Sequence, residues 1–261
     1  MSRIRSAAVA GLFYPADPAQ LHEDIQSMLT AVEQIGSTPK ALIVPHAGYI
    51  YSGPVAASAF AQLKNMRHSI KRVILLGPCH RVPLRGLATS SADYFQTPLG
   101  NISIDRDAIG QIASLPQVQE FDLTHQQEHS LEVQLPFLQE ALDDFSLVPL
   151  VVGDTSAEEV SEVLERLWGG VETLIVISSD LSHYHDYNTA RTMDDETCRA
   201  IESMDPTAIH YEQACGRNPV TGLLLAARKH GLRVTTLDLR NSGDTAGDKS
   251  SVVGYGAWSL S

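Results

Sequence analysis

No stretch of this sequence stays apolar over the roughly 20 residues that a membrane-spanning helix needs, so no span is expected. Basic residues are scarce: 19 Lys and Arg stand against 31 Asp and Glu, a formal net charge of −12. Binding a phosphate backbone needs a basic face, and attraction to an anionic bilayer needs a polybasic cluster. Neither is visible, which excludes nucleic acid and membrane as partners. Cysteine is limited to Cys79, Cys198 and Cys215, with no CxxC pair. An odd number of thiols, and an N-terminal MSRIRSAAVAGL without the apolar run of a secretory signal, lead to reduced cysteines in the cytoplasm as the expectation. HExxH is missing, so this is no zinc metalloprotease of that type. No GxSxG appears either, which excludes the α/β-hydrolase nucleophile elbow. The glycine- and aspartate-rich 241-NSGDTAGDKSSVVGYG-256 lacks the spacing of a calcium or phosphate loop and reads as a long turn, with Asp244 as a minor alternative for a pocket wall. Low complexity, repeats and composition breaks are absent, so residues 1–261 are read as one domain.

What is present is a regular alternation. The apolar runs 40–45, 71–77, 146–153, 171–179, 232–239 and 251–260 read as strands, and their near-continuous apolarity implies burial on both faces. Between them, 18–35, 156–168 and 217–231 have helical spacing, and Asp17-Pro18 and Asp205-Pro206 have the form of helix starts. The pattern predicts an α/β/α sandwich with a mostly parallel central sheet, with 85–105 as a hairpin-like insertion.

In open α/β sheets, ligands gather at the carboxyl ends of the strands. Three separate strands deliver histidine there: His46 in 45-PHAGYIYSG-53, His80 in 77-GPCHRVP-83, and His183 and His185 with Asp180 in 178-SSDLSHYHD-186. Imidazole is the commonest protein metal ligand, so convergence of this kind points to a metal pocket. Core histidines bonded to backbone groups are the competing reading. Gly48, Gly53 and Gly77 permit tight turns beside these histidines. In 128-EHSLEVQLPFLQ-139, a helix start, Glu128 and His129 are balanced between function and a surface role at the positive helix end. Cys215 precedes a helix start, a position that lowers a thiol's pKa and favours the thiolate, although a small buried hydrophobe is the commoner fate of a free cysteine. Cys79 and Cys198 are read as structural, Cys79 with redox sensitivity beside His80.

Taken in order, AGLFYPAD at 10–17, PHAGYIYSG, LGPCH, EHSLEVQLPF, SSDLSHY, ACGRNP and SVVGYGA resemble the Memo family, known in prokaryotes as AmmeMemoRadiSam system protein B. The resemblance runs from about residue 7 to residue 258. It implies the fold of the class III extradiol dioxygenases, non-haem iron enzymes that open catechol rings. By that matching His46, His80 and Cys215 are metal ligands, His183 and His129 stand where the dioxygenases hold acid–base histidines, Phe13 and Tyr51 line the pocket, and Asp180 lies close by. The implied cofactor is Fe(II), with Cu or Zn as alternatives, because a thiolate replaces the dioxygenases' carboxylate and a softer ligand moves preference toward copper or zinc. The implied activity is an oxidoreductase acting on a small aromatic or other reduced substrate. A non-catalytic metal-binding or redox-responsive protein that takes a peptide, with radical-SAM system proteins as partners, is the alternative.

Overall fold

The computed structural model describes residues 2–35 and 38–261. Twelve strands run through it in chain order: β1 Ile4–Arg5, β2 Ala41–Val44, β3 Arg72–Pro78, β4 Leu87–Thr89, β5 Tyr94–Thr97 and β6 Gly100–Ser103. They continue as β7 Val118–Glu120, β8 Ser146–Val152, β9 Thr173–Ser178, β10 His183–His185, β11 Val234–Asn241 and β12 Val252–Leu260. The main sheet has the order β10-β12-β2-β9-β3-β8-β4-β7, with β11 also paired to β12. Its centre, β2-β9-β3-β8, is parallel.

Every residue of β2 and β9 is buried, and β3 and β8 are buried after their first residue. Side chains alternate between the faces of a strand, so such strands are covered on both sides. That is why their apolar runs were legible. The outer part departs from the mostly parallel expectation. β12 runs antiparallel to β2, β10 and β11 run antiparallel to β12, and β4 runs antiparallel to β8. Of these pairs only β11 and β12 are consecutive strands, and an antiparallel neighbour of that kind needs no crossover. The 85–105 insertion contains the expected hairpin, β5 with β6, which joins β1 in a small second sheet; β4 instead extends the main sheet.

The three expected helices form as Pro18–Thr30, Ala157–Leu167 and Arg217–Lys229. Asp17 caps the first by accepting from Gln20 N–H, and Ser156 with Glu159 makes a capping box on the second. Two expectations are corrected. Asp205-Pro206 opens only a three-residue 3₁₀ turn, Pro206–Ala208, and residues 128–133 precede the helix Gln134–Ala141 rather than starting it. Among the described residues, no helix is long and apolar enough to cross a membrane.

Candidate metal centre

The parallel strands end at one edge, and the chain leaving each of three delivers a ligand-type side chain or its support. His46 follows β2 by two residues. Its Nδ1 lies 2.8 Å from Ser178 Oγ at the end of β9. That hydroxyl donates to Ser130 O at 2.6 Å and accepts from Gln134 Nε2 at 2.8 Å. A serine hydroxyl has one proton, and here the Ser130 carbonyl takes it. The network therefore assigns the His46 proton to Nδ1 and leaves a lone pair on Nε2.

His80 follows β3 by two residues and is fixed in the same sense by another partner. Its Nδ1 lies 2.9 Å from Glu128 Oε1, and its backbone N–H donates to Glu128 Oε2 at 2.7 Å. Burial acts to raise the Glu128 pKa, but the hydrogen bonds and charge of His80 overcome it and hold the carboxyl at about 2. An ionised carboxylate only accepts, so His80 Nδ1 donates, and in the neutral ring Nε2 is the lone pair.

Cys215 supplies the third atom. Its N–H donates to Asp180 O at 3.3 Å, and its Sγ lies 3.3 Å from His46 Nε2. The approach depends on Gly216, where a Cβ would stand 2.6 Å from Ser179 Cβ and 2.7 Å from Ser178 O. The ligand atoms of His46, His80 and Cys215 lie within 4.8 Å of one another. Two imidazole lone pairs and a sulfur around one point fit a soft or borderline transition-metal ion, which takes bonds of about 2.0–2.3 Å to such donors. His80, Glu128 and His129 form a second compact group. There Glu128 is already engaged as the acceptor for His80, the usual role of a carboxylate behind a metal-ligating histidine.

The thiol departs from expectation. Burial, and then the Asp180 carboxylate, push the Cys215 pKa up rather than down. The helix that follows begins only at Arg217, and the sulfur faces the Asp180 carbonyl at 3.6 Å. Without a cation beside it, this cysteine is a neutral thiol.

The other expected residues fall in distinct places. The His129 ring stacks on His80 with centroids 4.7 Å apart, lies 5.4 Å from His46, and has Phe13 against it at 4.8 Å. Burial lowers its pKa to about 4, so it is an uncharged imidazole at neutral pH. His183 and His185, on β10, line a cleft of about 500 Å³ together with His80, Cys215, Tyr211 and Glu212. Burial lowers the His183 pKa as well. Asp180 is buried, accepts the His46 N–H at 2.6 Å, and is pushed up by burial to about 7. Tyr51 sits on the helix Tyr49–Phe60, 40% exposed, with its ring near Gly48 and outside the cleft lining. Asp244 is not a wall of this cleft; it caps a short helix and accepts from Tyr187 OH at 2.6 Å. Cys198 is buried at 3.5 Å from Thr236 Oγ1, and Cys79 donates to Val82 O. A cleft of about 540 Å³ near Leu29, Phe60 and Arg67 contains no histidine or cysteine.

The sequence reading missed Ser178 and Gln134 entirely and left Glu128 undecided. Ser178 opens the 178–186 segment that contains Asp180, but its acceptance of a proton from a histidine 132 residues away has no local signature.

A mixed α/β sheet whose central strands end in a His–His–Cys group defines the class: a protein with a candidate metal centre on an α/β frame. A family model described as Memo-like protein matches residues 5–259. MEMO1 family proteins of Methanosarcina barkeri and Aquifex aeolicus are each 37% identical, the first over 269 residues with 97% of this chain and 98% of its own length covered, the second over 266 residues with 97% of each. The chain belongs to the Memo family. A crystal structure of an uncharacterized protein from Escherichia coli K12 matches with a TM-score of 0.52 and 14% identity, covering 85% of this chain and 99% of that one, a likeness of fold alone.

Proposed function

We propose that this Memo-family protein binds one metal ion through His46 Nε2, His80 Nε2 and Cys215 Sγ, and acts as a non-haem oxidoreductase on a small aromatic substrate in the cytoplasm. Fe(II) is the first choice of ion, with Cu or Zn as alternatives. In this reading the layers form the three-layer α/β/α sandwich of the class III extradiol dioxygenases. The observation that carries it is the pair of histidines locked at Nδ1, each with its Nε2 lone pair free, one of them 3.3 Å from a cysteine sulfur.

A bound iron or copper ion would supply redox chemistry and an open coordination face. The chain's own residues do the rest. His183, in the cleft, accepts and returns the substrate proton, and an imidazole uncharged at neutral pH suits that role. His129, uncharged for the same reason and held between His80 and Phe13, orients the bound molecule. Asp180 fixes the His46 backbone. Proton transfer by a placed imidazole contributes about 10²–10⁴-fold in rate. A protein purified without added metal should carry about one ion per chain, with lower occupancy in His46→Ala and Cys215→Ser. Full occupancy in both variants removes the site.

A non-catalytic role, in which the pocket takes a peptide or a radical-SAM partner, is favoured by one observation. Leu12, Ile50, Tyr51, Tyr184 and Tyr211 are exposed apolar or aromatic side chains on the segments that carry the site. Anaerobic loading followed by oxygen-uptake assays over a panel of catechols separates the two. Silence across the panel with metal bound selects the binding role.

A further inference from the structure

Two residues of the cleft lining, Tyr211 and Glu212, have no part in the catalytic reading proposed above. Tyr211 and Glu212 stand on the short 3₁₀ turn Tyr211–Gln213 and line the same cleft as His80, His183 and Cys215. The turn is pinned where Gln213 Oε1 accepts the His210 N–H at 2.7 Å. The chain then reaches Cys215, so wall and ligand share one short segment. Tyr211 is 83% exposed, an aromatic face left outside the core at the mouth of the cleft. Glu212 is exposed too, and among the described residues it has no ion-pair partner. The cleft lining contains neither Lys nor Arg. Arg81, next to His80, instead bears electrostatically on His129.

An aromatic ring and an unpaired carboxylate lining one cleft are the chemistry that recognises an ammonium group, by cation–π attraction and by charge. A carboxylate or phosphate on the ligand would meet repulsion at the same wall, and the chain's net charge of −12 acts in the same sense. We propose that Tyr211 and Glu212 form a cation-selecting wall, so that the small molecules entering this cleft carry an ammonium group. The selection rests on the cleft being a substrate site above a metal. Its volume of about 500 Å³ accommodates a single substituted ring.

The test uses the full chain loaded with Fe(II) under nitrogen and titrated calorimetrically with three catechols of matched size. These are dihydroxybenzylamine as the cation, methylcatechol as the neutral form and dihydroxybenzoate as the anion, all with vicinal hydroxyls. Attraction of one and repulsion of another, each the size of an exposed ion pair, give a preference of about tenfold for the amine over the acid. Glu212→Gln should shrink the preference to about twofold, with methylcatechol binding unchanged, and added salt should act in the same direction. Tyr211→Leu should weaken the amine more than the neutral ring. Equal affinity for all three overturns the inference and leaves a metal-dependent cleft standing, as does a preference that survives Glu212→Gln. If none of the three binds, the proposed function falls and the inference with it.

Discussion

Glu128 holds His80 twice, taking its backbone N–H at 2.7 Å and its ring Nδ1 at 2.9 Å, one carboxylate oxygen for each. Main chain and imidazole are thereby set together, and only one ring nitrogen is left for a metal. Glu128→Gln preserves the shape and removes the charge. Metal affinity should fall about 10–100-fold, as for other carboxylates behind a ligating histidine, with the fold intact by circular dichroism. Competition against a chromophoric chelator reads the change, and an unaltered affinity would deny Glu128 this role.

Ser178 does for His46 what Glu128 does for His80, but with a neutral hydroxyl. Ser178→Ala leaves the His46 Nδ1 proton and a Gln134 amide proton without their acceptor in a buried position. The metal-free protein should lose about 1–3 kcal/mol in urea unfolding, the cost of unsatisfied buried donors. Metal affinity should fall as well, because the His46 proton is no longer confined to Nδ1. A variant as stable and as tightly loaded as the parent contradicts the tautomer assignment.

The strand core was legible in the sequence because β2, β3, β8 and β9 are buried on both faces and so are apolar throughout. The helix Tyr49–Phe60 was hidden. It carries Gly53, read as permitting a turn, and Pro54 in its interior, and it is buried nearly all round, so it shows no amphipathic period. At the site, His46, His80 and His183 announced themselves by following strands. Cys215 was named as a ligand only through the family resemblance, since its sulfur meets His46 across 169 residues of chain. The helix-terminus argument for a lowered thiol pKa failed because burial, and then the Asp180 carboxylate, raise it.

The N-terminal segment reaches the site through Glu132. That buried carboxylate pairs with Arg5 and accepts from the N–H groups of Ala8 and Val9 and from Tyr14 OH. Arg5 in turn donates to His125 O and Glu128 O. Glu132→Ala strands a buried guanidinium and two backbone donors, and should cost about 3–5 kcal/mol in denaturant unfolding. A loss under about 1 kcal/mol would place this pair among ordinary surface bridges.

Acid sensitivity has an identifiable contributor away from the metal ligands. Burial lowers the His125 pKa from 6.5 to about 4, and its Nε2 lies 3.0 Å from Ala88 O. The unfolded chain takes up this proton as pH falls below about 6.5 while the folded chain does not, so stability is lost between about pH 6.5 and 4. The full effect is on the order of 3 kcal/mol. In the metal-free protein, His125→Gln should flatten the slope of unfolding free energy over that window. An unchanged slope assigns the acid sensitivity elsewhere.

Cobalt(II) substitution tests the centre most directly, because a thiolate bound to cobalt produces an intense near-ultraviolet charge-transfer band that imidazole and carboxylate ligands do not. Titration of the metal-free chain should bring up this band to an end point of about one equivalent. Cys215→Ser should abolish it, and Cys79→Ser should leave it in place. Cobalt binding with no such band, or a band that persists in Cys215→Ser, would contradict a centre built from His46, His80 and Cys215.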